Sequence, residues 1–295
     1  MKIKDPSTIP FHIIKGVLLT LLSIICVLPF IVIISGSLTD NLTILKDGFS
    51  LLPRNFTVEA YRTIFRSPEG IIQAYKMNFY YTFMGTSLGL LIITLTAYVI
   101  SRKDFKYRNS VSFLIYFTTI FGGGMIPWYM MYANVLNLRG TTLAIWFPAL
   151  ITPFLVILMR TFIVGAVPDA VVESAKIDGA GHWRIFWQIV LPVLGPGLAT
   201  VGLFQALGYW NDWYRSSMFS TSSKTWSLQF YLYDLVNSTQ AMRQMAQYAD
   251  VNTADLPTQS VKLAMSVVAT GPILILYPFV QRYFVSGITV GAVKG

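Results

Sequence analysis

Six stretches of the chain are apolar over lengths suited to a bilayer, which takes about 20 such residues to cross. They are 13–34, 79–100, 111–133, 141–159, 191–210 and 263–280. The second to sixth contain no Asp, Glu, Lys or Arg. The first contains only Lys15, near its start, where a long side chain can snorkel to the interface. Backbone groups in lipid must be satisfied within the segment, so these stretches predict helices and not strands. Stretch 13–34 is too long for the apolar part of a signal peptide, and no small-residue cleavage site follows it, so it predicts a retained helix. The pattern therefore predicts an all-α polytopic membrane protein with six transmembrane helices in one domain over 1–295.

Composition agrees. The chain is 54% hydrophobic and only 12% charged, whereas soluble domains are about a quarter charged. That argues against an ordinary soluble enzyme, and the apolar content excludes disorder. The net charge of +9 would suggest nucleic acid in a soluble chain; in a membrane chain it fits basic cytoplasmic loops, and no nucleic-acid partner is expected. Loop 101–110 holds Arg102, Lys103, Lys106 and Arg108, while the short loop 134–140 holds only Arg139. Lys2, Lys4 and Lys15 add to the N-terminal side. Positive-inside logic places both termini and loop 101–110 in the cytoplasm. The long loop 36–76 runs against this with Lys46, Arg54, Arg62, Arg66 and Lys76, but also carries Asp40, Asp47, Glu59 and Glu69. Segments 36–78 and 211–262 are then external, and 160–190 is cytoplasmic. The single cysteine, Cys26, excludes an internal disulfide.

Segment 160–190 is patterned. Pro168 suits a helix start, and Asp169 and Glu173 lie near its positive end. Gly179 offers a stop and a turn, and a second helical stretch begins at His182. This predicts a helix–turn–helix along the cytoplasmic face; an ordinary amphipathic connector is the plainer alternative. Catalytic motifs are missing. There is no Gly-Lys pair for a phosphate loop, and no HExxH or His/Cys cluster for a metal. Gly85-Thr86-Ser87-Leu88-Gly89 matches a nucleophile elbow but sits in an apolar helix, where Gly85 and Gly89 suit close helix packing instead. His182 reads as a surface residue. Gln205 within the fifth stretch is expected to face the protein interior, because an amide facing lipid is costly. Tyr209, Trp210 and Trp213 suit an interfacial belt. Asn211 and Asp212 are less easily explained that way, so Gln205, Tyr209, Trp210, Asn211 and Asp212 are candidates for a substrate path.

Glu173, Ser174, Ala175, Gly179, Ile189, Leu191 and Pro192 fall at the spacing Glu-Ala-Ala, three residues, Gly, nine residues, Ile-x-Leu-Pro. In this the chain resembles the integral membrane subunits of bacterial ABC importers, whose EAA loop has that pattern; Ser174 for Ala is the one departure. Asn78, Ala97-Tyr98, Ser101-Arg102, Tyr209–Trp213 and the ending Gly291-Ala292-Val293-Lys294-Gly295 extend the resemblance to the maltose-type carbohydrate permeases. Phe121-Gly122-Gly123-Gly124-Met125-Ile126-Pro127 is similar to a branch handling complex oligosaccharides or polysaccharide fragments. The resemblance implies the type I ABC importer permease fold in the bacterial cytoplasmic membrane, with Glu173, Ser174, Ala175, Asp178, Gly179 and Ala180 in a coupling helix that docks on an ATPase subunit. It implies a second permease subunit, two ATPase subunits and an extracytoplasmic solute-binding protein as partners, with Gly291, Lys294 and Gly295 in a tail inserted between the ATPases. This chain would be non-catalytic and hold no cofactor, ATP and Mg being bound by the ATPase. Two rivals remain at this point: a permease for peptides or another solute, and an autonomous channel or secondary transporter. The latter would need intramembrane ionisable residues, which five of the six stretches lack.

Overall fold

The computed structural model describes residues 9–66, 68–248, 259–272 and 274–275. These are almost entirely helical, with one isolated antiparallel pairing, Thr39 with Phe56. The described residues divide into two compact units. One draws on 9–66 and 68 with 234–248 and 259–272, the other on 69–233 with 274–275.

In the first unit, α1 (Ile9–Ser37) is apolar all round. Its described side chains from 13 to 31 are exposed. A helix of that kind is made to be covered by lipid or protein. Two short helices follow, α2 (Asn41–Asp47) and α3 (Glu59–Ile64). Asp40 caps α2, its Oδ2 accepting from the Thr43 amide at 3.1 Å. The helical residues 259–272 meet this unit where the Asn41 side chain accepts from the Gln259 amide at 2.9 Å. Leu263 packs against Gly36 so closely that a Cβ there would collide with it.

The second unit is built around α4 (Pro68–Ser101), 34 residues long. Then come α5 (Arg108–Ile120), α6 (Met125–Met130) running into a π-turn at Met131–Val135, and α7 (Leu143–Trp146) with a 3₁₀ turn at Phe147–Ala149. Next are α8 (Pro153–Ala166), α9 (Asp169–Ile177), and α10 (His182–Ile185) with a π-turn at Phe186–Val190. The series ends with α11 (Leu191–Val193), α12 (Gly195–Trp210), α13 (Tyr214–Phe219) and the start of α14 (Leu228–Tyr248). Its core joins Ile93, Ala97 and Ile100 of α4 to Val156, Met159 and Ile163 of α8, Val172 of α9, and Ile185, Phe186 and Val201. A Cβ on Gly85 would collide with the Tyr209 ring, and one on Gly89 would lie 2.7 Å from Gln205 Nε2. These two glycines thus let α4 lie against α12, as their spacing predicts.

The hydropathy pattern predicts single spans over 111–133, 141–159 and 191–210, the last of them breakable by its Pro192, Gly195 and Pro196; the structure bends or breaks each. Residues 13–37 and 68–101 are long and apolar enough to cross a membrane as single helices. Three further candidates are bent pairs, by 116° between α5 and α6, 47° before α8 and 83° before α12, giving up to five among the described residues. The causes are local. Gly122–Gly124 part α5 from α6, with Gly124 at φ 86°. Pro153 opens α8, and Pro196 opens α12 directly after the break at Leu194. Pro192 cannot donate to the preceding turn, and a π-turn lies just ahead of it. The sixth stretch, 263–280, falls partly outside the described residues, so the six-span expectation is not settled by them.

Candidate functional site

Helix α9 begins just after Pro168, with Asp169 in its first turn and Lys176 in its last, both complementing the helix dipole. Val172 and Ala175 pack on the core, whereas Glu173, Ser174, Ile177 and Asp178 are exposed. Ile177 is 87% exposed, beside the turn. The helix closes in a Schellman motif: the Ala180 amide donates to Ala175 O (2.9 Å) and the Gly179 amide to Lys176 O (3.0 Å). Gly179 has φ 80° and a Cβ there would meet nothing, so the requirement for glycine is conformational and not spatial.

Loop 102–107 lies against this helix–turn–helix. Lys103 Nζ is 2.7 Å from Asp169 Oδ2, and Lys176 donates to Asp104 Oδ2. His182 Nε2 is 3.8 Å from the same Asp104 oxygen, and its Nδ1 is 3.4 Å from the Tyr98 hydroxyl. The Lys176 hydrogen bond holds the Asp104 carboxyl below its ordinary value, and the Lys103 hydrogen bond does the same for Asp169. His182 is therefore more than the plain surface residue the sequence suggests.

A second feature is a cavity of about 320 Å³ between α8 and α12, with Thr152, Phe154, Phe204, Gln205, Tyr209 and Arg215 in its wall. Gln205 is 4% exposed and donates from Nε2 to Ala149 O at 2.8 Å. The Tyr209 hydroxyl donates to Trp146 O at 2.7 Å. Of the five path candidates, Gln205 and Tyr209 line this cavity. Asp212 stands behind it, paired with Arg215 Nε at 2.9 Å. Trp210 is buried edge-on against Phe79 (5.1 Å), not at an exposed interface, and Asn211 is exposed. Sequence reasoning missed Arg215, whose guanidinium lies 4.9 Å from the Tyr209 ring centre. The signal was available: an arginine three residues after Asp212, at the end of an apolar stretch. Gly291, Lys294 and Gly295 lie outside the described residues.

No protein-family model matches the chain. Individual relatives do. The polygalacturonan/rhamnogalacturonan transport system permease protein YtcP of Bacillus subtilis is 36% identical over 278 residues, covering 94% of this chain and 96% of the relative. The arabinooligosaccharides transport system permease protein AraQ of Halalkalibacterium halodurans is 28% identical over 287 residues, covering 93% of each. Among solved structures, a chain of a bacterial ABC transporter involved in the import of the acidic polysaccharide alginate aligns with a TM-score of 0.76 at 26% identity. It covers 96% of this chain and all of that one.

Proposed function

Because this chain belongs to the permease proteins of carbohydrate ABC transport systems, we propose that it moves an oligosaccharide or polysaccharide fragment inward, with α9 as the helix that docks on an ATPase. The observation that carries the docking is the exposed end of α9. Ile177 is not alone there: Val171 is 44% and Trp183 68% exposed on the same helix–turn–helix, whose turn is fixed by two backbone hydrogen bonds. Such side chains are suited to a partner's apolar cleft, with the exposed Glu173 and Asp178 to meet cations.

The chain works in the bacterial cytoplasmic membrane with both termini inside. A second permease completes the pathway, two ATPase subunits bind and hydrolyse ATP with Mg, and an extracytoplasmic protein delivers the sugar. This chain itself performs no catalysis. Closure of the ATPase pair pushes on α9 and shifts the membrane helices from inward-facing to outward-facing. The ATP-bound pair supplies the difference in binding that such a switch requires. Gln205, Tyr209, Phe154 and Phe204 line one cavity and together offer the aromatic surface and hydrogen-bonding groups that a passing sugar uses. Tail residues Gly291, Lys294 and Gly295 contact the ATPase pair.

The test is Gly179→Val in the assembled complex. Its β-branched side chain disfavours φ 80°, so the Schellman turn should open. The expected result is loss of the ATPase on purification, or ATP hydrolysis without uptake of the saccharide that the binding protein retains. Normal uptake per ATP would remove the docking role.

A further inference from the structure

We propose that loop 102–107 is an electrostatic clasp that fastens the coupling helix to α4, with Asp104 as its central positioning residue. This rests on reading α9 as the docking helix. Lys103 and Asp104 are adjacent in sequence, carry opposite charges and reach opposite ends of α9. Lys103 holds Asp169 in the first turn, at 2.7 Å, and Asp104 holds Lys176 in the last. Those partners stand seven residues apart, about 10 Å along the helix axis. The charges attract in this register alone. Turning α9 end for end would set Lys103 against Lys176 and Asp104 against Asp169. Asp104 also faces His182 Nε2 across the Gly179 turn, at 3.8 Å, so one carboxylate lies near both arms of the turn.

The clasp has a firm base. Arg102 is 4% exposed; its Nε donates to Ser101 Oγ at 3.2 Å and its guanidinium lies 5.3 Å from the Tyr98 ring centre. Arg160 Nε donates to Ile100 O at 3.2 Å. The loop is thereby fixed to the last turn of α4. At its other end, α4 is tied down just as closely. Gln73 donates to Lys224 O at 2.9 Å, Tyr81 donates to Thr225 O at 2.8 Å, and Asn78 Oδ1 accepts from the Leu228 amide at 3.3 Å. A push on α9 therefore enters α4, which carries it to residues 224–228. Each ion pair is partly exposed and weak by itself, so the clasp sets position and adds little stability.

The complete complex, in vesicles, tests this with ATP as the only probe. A fluorophore on Phe83→Cys, an exposed α4 position, reports movement in a Cys26→Ser background. Asp104→Lys and Lys176→Asp are made singly and together. Each single reversal is expected to cut the ATP-driven signal by about threefold, and the double to restore most of it, as a direct pair interaction requires. ATPase subunits should co-purify with all three, and high salt should mimic the single variants. The clasp is overturned if single reversals leave the signal intact, or if the double responds no better than they do. Gly179→Val runs alongside. If it blunts the signal while the reversals do not, the clasp alone fails; if it leaves the signal intact, the docking reading fails and the clasp with it.

Discussion

Gly85 and Gly165 are both glycines in apolar helices, yet the structure sets opposite demands on them. A Cβ at Gly85 would strike the Tyr209 ring, while one at Gly165 meets nothing within 4 Å. Gly85→Val should cost about 1–3 kcal/mol through overpacking. Gly165→Ala should be neutral or stabilise by about 0.4–1 kcal/mol, because alanine restricts the unfolded chain. Thermal unfolding of the purified complex in detergent checks both, and equal shifts would contradict the close approach of α4 and α12. The aspartates of the clasp make a second residue-level case. A carboxyl whose folded pKa is depressed stabilises the fold above its ordinary pKa, and that contribution is lost as pH falls through the lowered value. Asp104 and Asp169 are both depressed, so their pairs hold at neutral pH and open only below the usual carboxylate range. Lys176→Ala should raise the titration midpoint of Asp104 and leave that of Asp169 in place, and Lys103→Ala should do the reverse. Infrared titration of isotope-labelled aspartates reads each midpoint.

At the scale of elements, the break between α5 and α6 depends on one of its three glycines more than the others. Gly124 alone has positive φ, at 86°, and a Cβ at Gly122 or Gly123 meets nothing. Gly124→Ala is expected to destabilise by about 1 kcal/mol, while Gly122→Ala and Gly123→Ala are tolerated. Comparable unfolding midpoints for all three would show that the bend does not need a left-handed residue. The same break marks where sequence reading stopped. Apolar length alone located the helices, because lipid demands internally bonded backbone whatever the detailed sequence. It did not locate the bends in 111–133 and 141–159, because a run of glycines or an X-Pro step is as apolar as the rest of a span and membrane helices tolerate both; only 191–210, with Pro192, Gly195 and Pro196, was legible as breakable. The Gly179 turn was legible because a Schellman stop leaves a glycine after a helical run. The clasp was not, since Lys103 and Asp104 meet α9 only through the fold; in sequence they count as two charges in a basic loop. Arg215 was legible as a partner of Asp212 three residues earlier, but its approach to Tyr209 comes only through the fold.

For the whole molecule, the proposed orientation fixes which surfaces partners can reach. In that orientation the hydropathy pattern makes segments 36–78 and 211–262 external, so photo-cross-links placed there should trap the solute-binding protein, and cross-links from 101–110 should trap the ATPase. The reverse pattern would invert the topology. The C-terminal residues 281–295 lie outside the described residues, and their sequence carries the last expectation. Arg282 would stand at the cytoplasmic interface, as basic residues do at the inner ends of spans. Beyond it, Phe284, Val285, Ile288, Val290 and Val293 make this segment apolar for a solvated tail. Gly287, Gly291 and Gly295 permit close approach to another surface. A groove on the ATPase pair is the surface we propose for this tail, which would give the ATPases a second contact besides the one proposed for α9. One contact can transmit force; a second can make hydrolysis depend on how the permease stands. Deleting residues 289–295 should therefore leave insertion and assembly intact while lowering sugar uptake per ATP hydrolysed. Uptake at the full rate and stoichiometry in the truncated complex would leave α9 as the sufficient link.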